Sequence, residues 1–332
     1  MNAPITPAQQ FVKDVEGVRL LVIGDIMLDH YIWGSATRLS PEAPVPVLDV
    51  KEEDSRLGGA ANVALNLLAL GTNPFLCGVI GNDREGEVLR GLFGTHSLTD
   101  KFLFTSNERR TTSKTRVLGN RQQMLRLDKE DRFPISARME EEVLDALLPY
   151  IGHFQVVIFE DYDKGMVTPR IIREITNRSV ENGVKVVIDP KYRNFLHYER
   201  CTVFKPNLKE LNDALNLRLD NHDLPGIVNA VKTLREKMPH ENTLVTLSEN
   251  GALVVDSQLE HVHIPAHFRQ IADVSGAGDT VVSVLGACLA SGMDLVRAAR
   301  ISNLAGGLVC EKVGVVPVEL DRLAAEVEEH GF

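Results

Sequence analysis

Short apolar runs alternate with amphipathic helical patterns along most of this chain. "RLLVIGD" at 19–25 predicts a buried strand, and "GGAANVALNLLALG" at 58–71 predicts a helix entered through glycines and stopped at Gly71. "QVVIFED", "VKVVIDP", "TVFKPN" and "TLVTLSENG" read as further strands, each ending in polar or turn residues. "TPRIIREITNRSVENG" and "LPGIVNAVKTLREKM" are helical patterns between them. This order predicts an α/β fold: a mostly parallel central sheet with helices on both faces, whose ligands bind beyond the carboxyl ends of the strands. Two stretches break the alternation. The first carries "RLSPEAPVPVLDVKEED"; the second carries "FLFTS", "TTSKTRVLG" and "QMLRLD", and both show strand patterns without helices. They predict a small β-sheet lid with strands drawn from about 26–55 and 102–128. No internal repeat or low-complexity linker interrupts the chain, so a single domain over 1–332 is expected.

The 332 residues are 44% hydrophobic and 25% charged, ample for a buried core. A net charge of −10 argues against nucleic acid and against anionic membrane surfaces as partners. Cys77, Cys201, Cys288 and Cys310 are far apart, which fits a reducing compartment and weighs against zinc or a disulfide framework. "MNAPITPAQQFVKDVEG" lacks the pattern of a signal peptide, and no apolar run is long enough to span a bilayer. A soluble, cytoplasmic protein is expected.

The segment most suggestive of chemistry is "DVSGAGDTVV". Glycines at a helix entrance let backbone amides converge, and the helix dipole adds positive charge there. Amides of Gly276, Ala277 and Gly278 would suit phosphate oxygens. Asp279 has the wrong charge to bind phosphate and the right chemistry to take a proton from an attacking hydroxyl; a helix-capping role explains it equally well. In "FKPNLKEL", Asn207 and Glu210 are spaced to hold hydrated Mg²⁺, or to form a capping box. Lys191 in "IDPKYRNF" would lean on a transferring phosphoryl group or sit on the surface. Ser248 and Gly251 in "VTLSENGAL" mark a turn beside a nucleotide or a plain hairpin. Asp25, Asp29, Gly58, Gly59 and Asn62 offer carboxylates, an amide and bare backbone suited to a polyol, or else ordinary strand-end and helix-entry packing. Arg109, Arg110, Lys114, Arg116, Arg121 and Arg126 gather in the proposed lid, a density that suggests an anionic ligand in so acidic a chain. The P-loop, the dinucleotide fingerprint and the H-x-E and H-E-x-x-H zinc signatures are absent.

In combination these segments resemble the ribokinase (PfkB) family of carbohydrate kinases. "GGAANVALNLLALG" matches the family's di-glycine segment, "NLKE" its N-x-x-E element, and "DVSGAGD" its D-T-x-G-A-G-D signature, with Val274 and Ser275 departing from it. The resemblance runs from about Arg19 to the last helices. It implies a ribokinase-like sheet with a β-lid, ATP as donor and Mg²⁺, with Asp279 as base. It also implies nucleotide contacts at Asn207, Leu208, Lys209, Glu210, Ser248 and Gly251. "GDIMLDHYIWGSATRLSPEAPVPVLDV", "TTSKTRVLGNRQQMLRLD" and "EDYDKG" are similar to the branch that phosphorylates a bacterial heptose 7-phosphate at its anomeric hydroxyl. That implies a sugar-phosphate substrate, with sugar contacts at Asp25, Asp29, Gly58, Gly59 and Asn62. The distal phosphate would be met from among Arg109, Arg110, Lys114, Arg116 and Arg126. No H-x-G-H nucleotidyltransferase motif occurs, so the stand-alone kinase form is expected, and strand-forming lid edges suggest a homodimer. Alternatives are a family kinase for another sugar and a non-catalytic binder on the same scaffold; a dehydrogenase fails on its missing fingerprint.

Overall fold

The computed structural model describes residues 5–120, 122–267 and 269–332. Arg121, one of the basic group, lies outside them. The large sheet contains β1 (Arg19–Gly24), β4 (Asn73–Gly81), β5 (Phe102–Ser106), β8 (Val156–Glu160), β9 (Lys185–Asp189), β10 (Val203–Phe204), β11 (Asn242–Thr246), β12 (Ala252–Val255) and β13 (His261–Ile264). Among the described residues their order is β13-β12-β11-β10-β9-β8-β1-β4-β5. β1 and its neighbours run parallel, and only the β11–β12–β13 meander is antiparallel. Every residue of β1 after Arg19 is buried because both faces are covered. Leu20 and Val22 pack under α1 (Pro7–Val15), α2 (Ala60–Ala69), α3 (Arg84–Thr95), α8 (Ala277–Ala290), α9 (Leu295–Val309) and α10 (Leu320–His330). Leu21 and Ile23 pack under α4 (Ala137–Leu147), α5 (Pro169–Glu181), α6 (Leu208–Leu215) and α7 (Leu224–Lys237). The predicted α/β architecture, a mostly parallel sheet with helices on both faces, is therefore present.

The small sheet is β3 (Pro46–Gly59), β2 (Ile26–Leu39), β6 (Thr112–Gly119) and β7 (Gln122–Lys129), in that order. Register and the two-residue period decide what each face carries. Asp29 opposite Lys114, and Tyr31 opposite Arg116 opposite Arg126, share one face. Ile32, Val117 and Leu125 share the other, along with Thr115 and Leu127. One expectation is corrected. "FLFTS" does not join the lid but pairs parallel with β4 at the edge of the large sheet. Its leading Phe102 and Leu103 are both buried, as a two-sided core strand requires and a lid strand does not.

His240 is a buried structural histidine beside Phe204. One ring nitrogen lies 2.8 Å from the Met238 carbonyl, so Nδ1 donates, and Nε2 must accept from the Thr243 hydroxyl at 2.7 Å. Burial lowers its pKa from the ordinary 6.5 to about 4. The folded state thus binds fewer protons than the unfolded chain. Stability is fully present above pH 6.5 and is lost as pH falls towards 4, by up to ~3 kcal/mol. Urea unfolding at pH 7 and pH 4.5 should show this loss, and His240→Gln should flatten it.

Candidate active site

The carboxyl ends of β1, β8 and β9 and the entrance of α8 converge on one cleft. Gly276 caps α8 in the left-handed conformation (φ 79°), which glycine adopts without steric cost. Asp279 follows in the first turn, yet the Gly276 cap receives no side-chain hydrogen bond. The Asp279 carboxylate is engaged elsewhere. Oδ2 accepts from Asn62 Nδ2 and Oδ1 from the Tyr162 hydroxyl, both at 2.7 Å. Burial raises its pKa above the ordinary aspartate value; the bonds from Asn62 and Tyr162 oppose this, while Asp189 and Asp29 add to it. Of the three predicted anion-binding amides, that of Ala277 already donates to Val274 O at 3.3 Å.

The floor of the cleft is rich in carboxylates. Asp189 pairs with the buried Lys205 at 2.9 Å, and Lys191 pairs with Glu210 at 2.5 Å. Burial works against the Lys191 ammonium, but Asp189 and Glu210 outweigh it and hold its pKa above the usual lysine value. Glu160 sits beside Asp189 in the sheet register, with Oε2 buried and without a partner among the described residues. Burial, then Asp189 and Asp279, push Glu160 well above the usual carboxylate range. Asp189, Glu210 and Glu160 face the Lys205 and Lys191 ammonium groups here; among the described residues no cluster of three or more ligating side chains could hold a metal ion directly, so a divalent cation would be held through its water. Asn207 and Glu210 do form a capping box: Asn207 Oδ1 accepts from Glu210 N at 2.8 Å, and Glu210 Oε2 from Asn207 N at 2.9 Å. Glu210 keeps Lys191 on its other oxygen. Leu208 packs against the core, and Lys209 pairs with Asp213 along the exposed side of α6. Ser248 and Gly251 close the β11–β12 hairpin beside Asn207, which bridges to Thr246.

At the other end, Asp29 is buried and paired with Arg116 across the small sheet. A Cβ on Gly58 would strike the Asp29 carboxylate, and one on Gly59 the Asp25 carbonyl, so these glycines permit close backbone approach. The Asp25 carboxylate accepts the amides of Tyr162 and Lys164 on Oδ2 and that of Met166 on Oδ1, at 2.9–3.0 Å. It braces the loop after β8. Asp25→Asn should lower stability by ~2–4 kcal/mol in urea unfolding, since hydrogen bonds to a buried charge contribute ~1.5–3 kcal/mol each. Asn62 likewise serves Asp279 directly. Arg110 pairs with Asp131 and Arg126 with Asp128, both on the surface. Arg109 donates to the Lys164 carbonyl and leaves a buried Nη1 without a partner, and Lys114 forms no ion pair among the described residues. Two cleft residues, Tyr162 and Glu160, had no predicted role. Both lie in "FEDYDKG", whose polar strand end was the available signal.

Residues 19–321 match the pfkB family of carbohydrate kinases. The chain is 40% identical over 303 residues to "Bifunctional protein HldE" of Pelobacter propionicus, covering 90% of this chain and 62% of that protein. It is 41% identical over 310 residues to the protein of the same name from Geotalea uraniireducens, covering 93% and 63%. The chain thus spans less than two thirds of the length of these relatives. Its fold is shared with phosphofructokinase-2 from Escherichia coli in complex with potassium (TM-score 0.76, 17% identity, 94% of this chain and 99% of that one). It is shared too with Arabidopsis thaliana ribokinase complexed with ribose and ATP (TM-score 0.72, 17% identity, 93% and 99%).

Proposed function

This chain belongs to the pfkB family of carbohydrate kinases, and from that membership we propose that it transfers a phosphoryl group from ATP to the anomeric hydroxyl of D-glycero-β-D-manno-heptose 7-phosphate. The product would be the 1,7-bisphosphate, on the route to ADP-heptose and the lipopolysaccharide core. The observation that carries the reading is Asp279, a buried carboxylate at a glycine-capped helix entrance with both oxygens oriented by neutral donors. In the proposed mechanism Asp279 takes the hydroxyl proton. Amides of the Gly276–Gly278 turn and the Lys191 ammonium stabilise charge on the transferring group. Asp29 orients sugar hydroxyls, its charge balanced by Arg116. Mg²⁺, when bound, would neutralise phosphate charge, and Glu210 and Asn207 would hold it through water. Ser248 and Gly251 would line the nucleotide end. The cytoplasm, where ATP is available, is the proposed site of action.

A coupled ADP-release assay over a panel of sugars and sugar phosphates tests this. Heptose 7-phosphate should be the best acceptor; a better ribose, fructose or hexose phosphate would assign another substrate within the family, and no acceptor at all would leave a sugar-binding protein. We further propose a homodimer. The outer lid face exposes Leu125 and Leu127 at about half their area, beside Ile32 and Val117, and β7 is an open edge. Light scattering at micromolar concentration should give twice the chain mass, and Leu125→Lys/Leu127→Lys should return it to one.

A further inference from the structure

Tyr162 belongs to the loop that follows β8, and its surroundings tie three parts of the cleft together. Its hydroxyl donates to Asp279 Oδ1 at 2.7 Å, opposite the bond from Asn62 to Oδ2. Lys114 Nζ, from the small sheet, stands 5.5 Å from the ring centroid, and Lys191 Nζ, from the loop after β9, stands 5.4 Å away. The loop cannot drift, because its amides at 162, 164 and 166 all donate to Asp25. We propose that Tyr162 is a positioning residue, which aims the Asp279 carboxylate at the acceptor hydroxyl and links its orientation to the lid through Lys114.

A phenol donating to a carboxylate favours the ionised form of that carboxylate. The phenol proton is itself secure: burial, then Asp279 and Glu160, hold Tyr162 well above the ordinary tyrosine value. Carboxyl groups from three strands face Asp279: Asp189 from β9 and Asp29 from β2 raise its pKa, and Glu160 from β8 is itself pushed well above the usual carboxylate range by burial, Asp189 and Asp279. Lys114 and Lys191 approach through the Tyr162 ring. The neutral donors Asn62 and Tyr162 therefore oppose the upward push of burial, Asp189 and Asp29 on the Asp279 carboxylate. The catalytic part of this inference rests on the kinase reading; the arrangement of donors does not.

Tyr162→Phe keeps the ring and both cation contacts and removes the hydroxyl. In protein carrying ¹³C-labelled aspartate, the Asp279 carboxyl signal, assigned by its loss in Asp279→Asn, should titrate about one pH unit higher in the Phe variant. In sugar-dependent ADP release, kcat should fall roughly tenfold, as expected for a hydrogen bond to a charged group. The acid limb of the pH profile should move up with it, and KM for ATP should stay within about twofold. A wild-type protein without sugar-dependent ADP release would refute the kinase reading and leave the carboxyl titration to decide this one. An unmoved titration, or a rate loss confined to the sugar KM with an unmoved acid limb, would overturn the proposal. Should the Phe variant fold poorly, 3-fluorotyrosine placed at 162, a stronger donor, should move the limb downward; no movement overturns the proposal equally.

Discussion

Asp279→Asn is expected to lower turnover by ~10²–10⁴-fold, the contribution of a general base, while leaving sugar and ATP affinity nearly unchanged. The geometry makes this substitution unusually clean. An asparagine can keep its oxygen towards Asn62 Nδ2 and turn its own amide towards Tyr162, whose hydroxyl rotates from donor to acceptor. No buried polar atom is orphaned, so the shape of the site survives and only the proton acceptor is lost. Removing one negative charge from beside Asp29, Glu160 and Asp189 also relieves repulsion. The variant should therefore unfold at the same temperature as the wild type or higher. Steady-state kinetics with parallel thermal melts check both statements. Retention of more than about a tenth of the rate would reduce Asp279 to a structural carboxylate.

The second large effect concerns the far end of the sugar. Removing the distal phosphate of the proposed substrate should cost at least about a hundredfold in kcat/KM, from two contacts of ~1.5–3 kcal/mol each. The existing ion pairs suggest which residues would supply them on the proposed reading. Arg116 is committed to Asp29, Arg110 to Asp131 and Arg126 to Asp128. Lys114 and Arg109 remain short of anions. Burial, then the neighbouring Lys164, holds the Lys114 ammonium below its ordinary pKa, and burial lowers Arg109 in the same way. An incoming phosphate would reverse both shifts. Lys114→Met and Arg109→Met should each penalise the phosphorylated sugar more than its dephosphorylated counterpart. Equal turnover of heptose and heptose 7-phosphate by the wild-type protein would sink the substrate assignment and leave the kinase reading intact.

The large sheet was legible because its strands are buried on both faces and therefore appear as unbroken apolar runs, as in β1 and β8. "FLFTS" was misplaced for a related reason. A five-residue apolar run between lid segments carries no local mark of which sheet it joins; only parallel pairing with β4 decides it. The glycine-capped entrance of α8 was legible because left-handed backbone demands glycine at Gly276. Tyr162 and Glu160 were not, since their meaning depends on partners elsewhere in the chain: Tyr162 meets Asp279 across 117 positions. The same limit affected Asp25, whose three amide donors come from 137–141 residues away. A strand-end aspartate that braces a loop and one that binds a ligand look alike in sequence.

The contact between Asn62 and Asp279 spans 217 residues, and that distance has a consequence for the chain as it leaves the ribosome. A nascent polypeptide that stops short of α8 already holds both lid hairpins, the central strands and the acidic floor, but lacks Asp279 and the glycine-capped turn before it. Under the proposed mechanism every earlier intermediate would be unable to activate an acceptor, water included, until α8 has been made. Such long-range closure also raises contact order and slows folding.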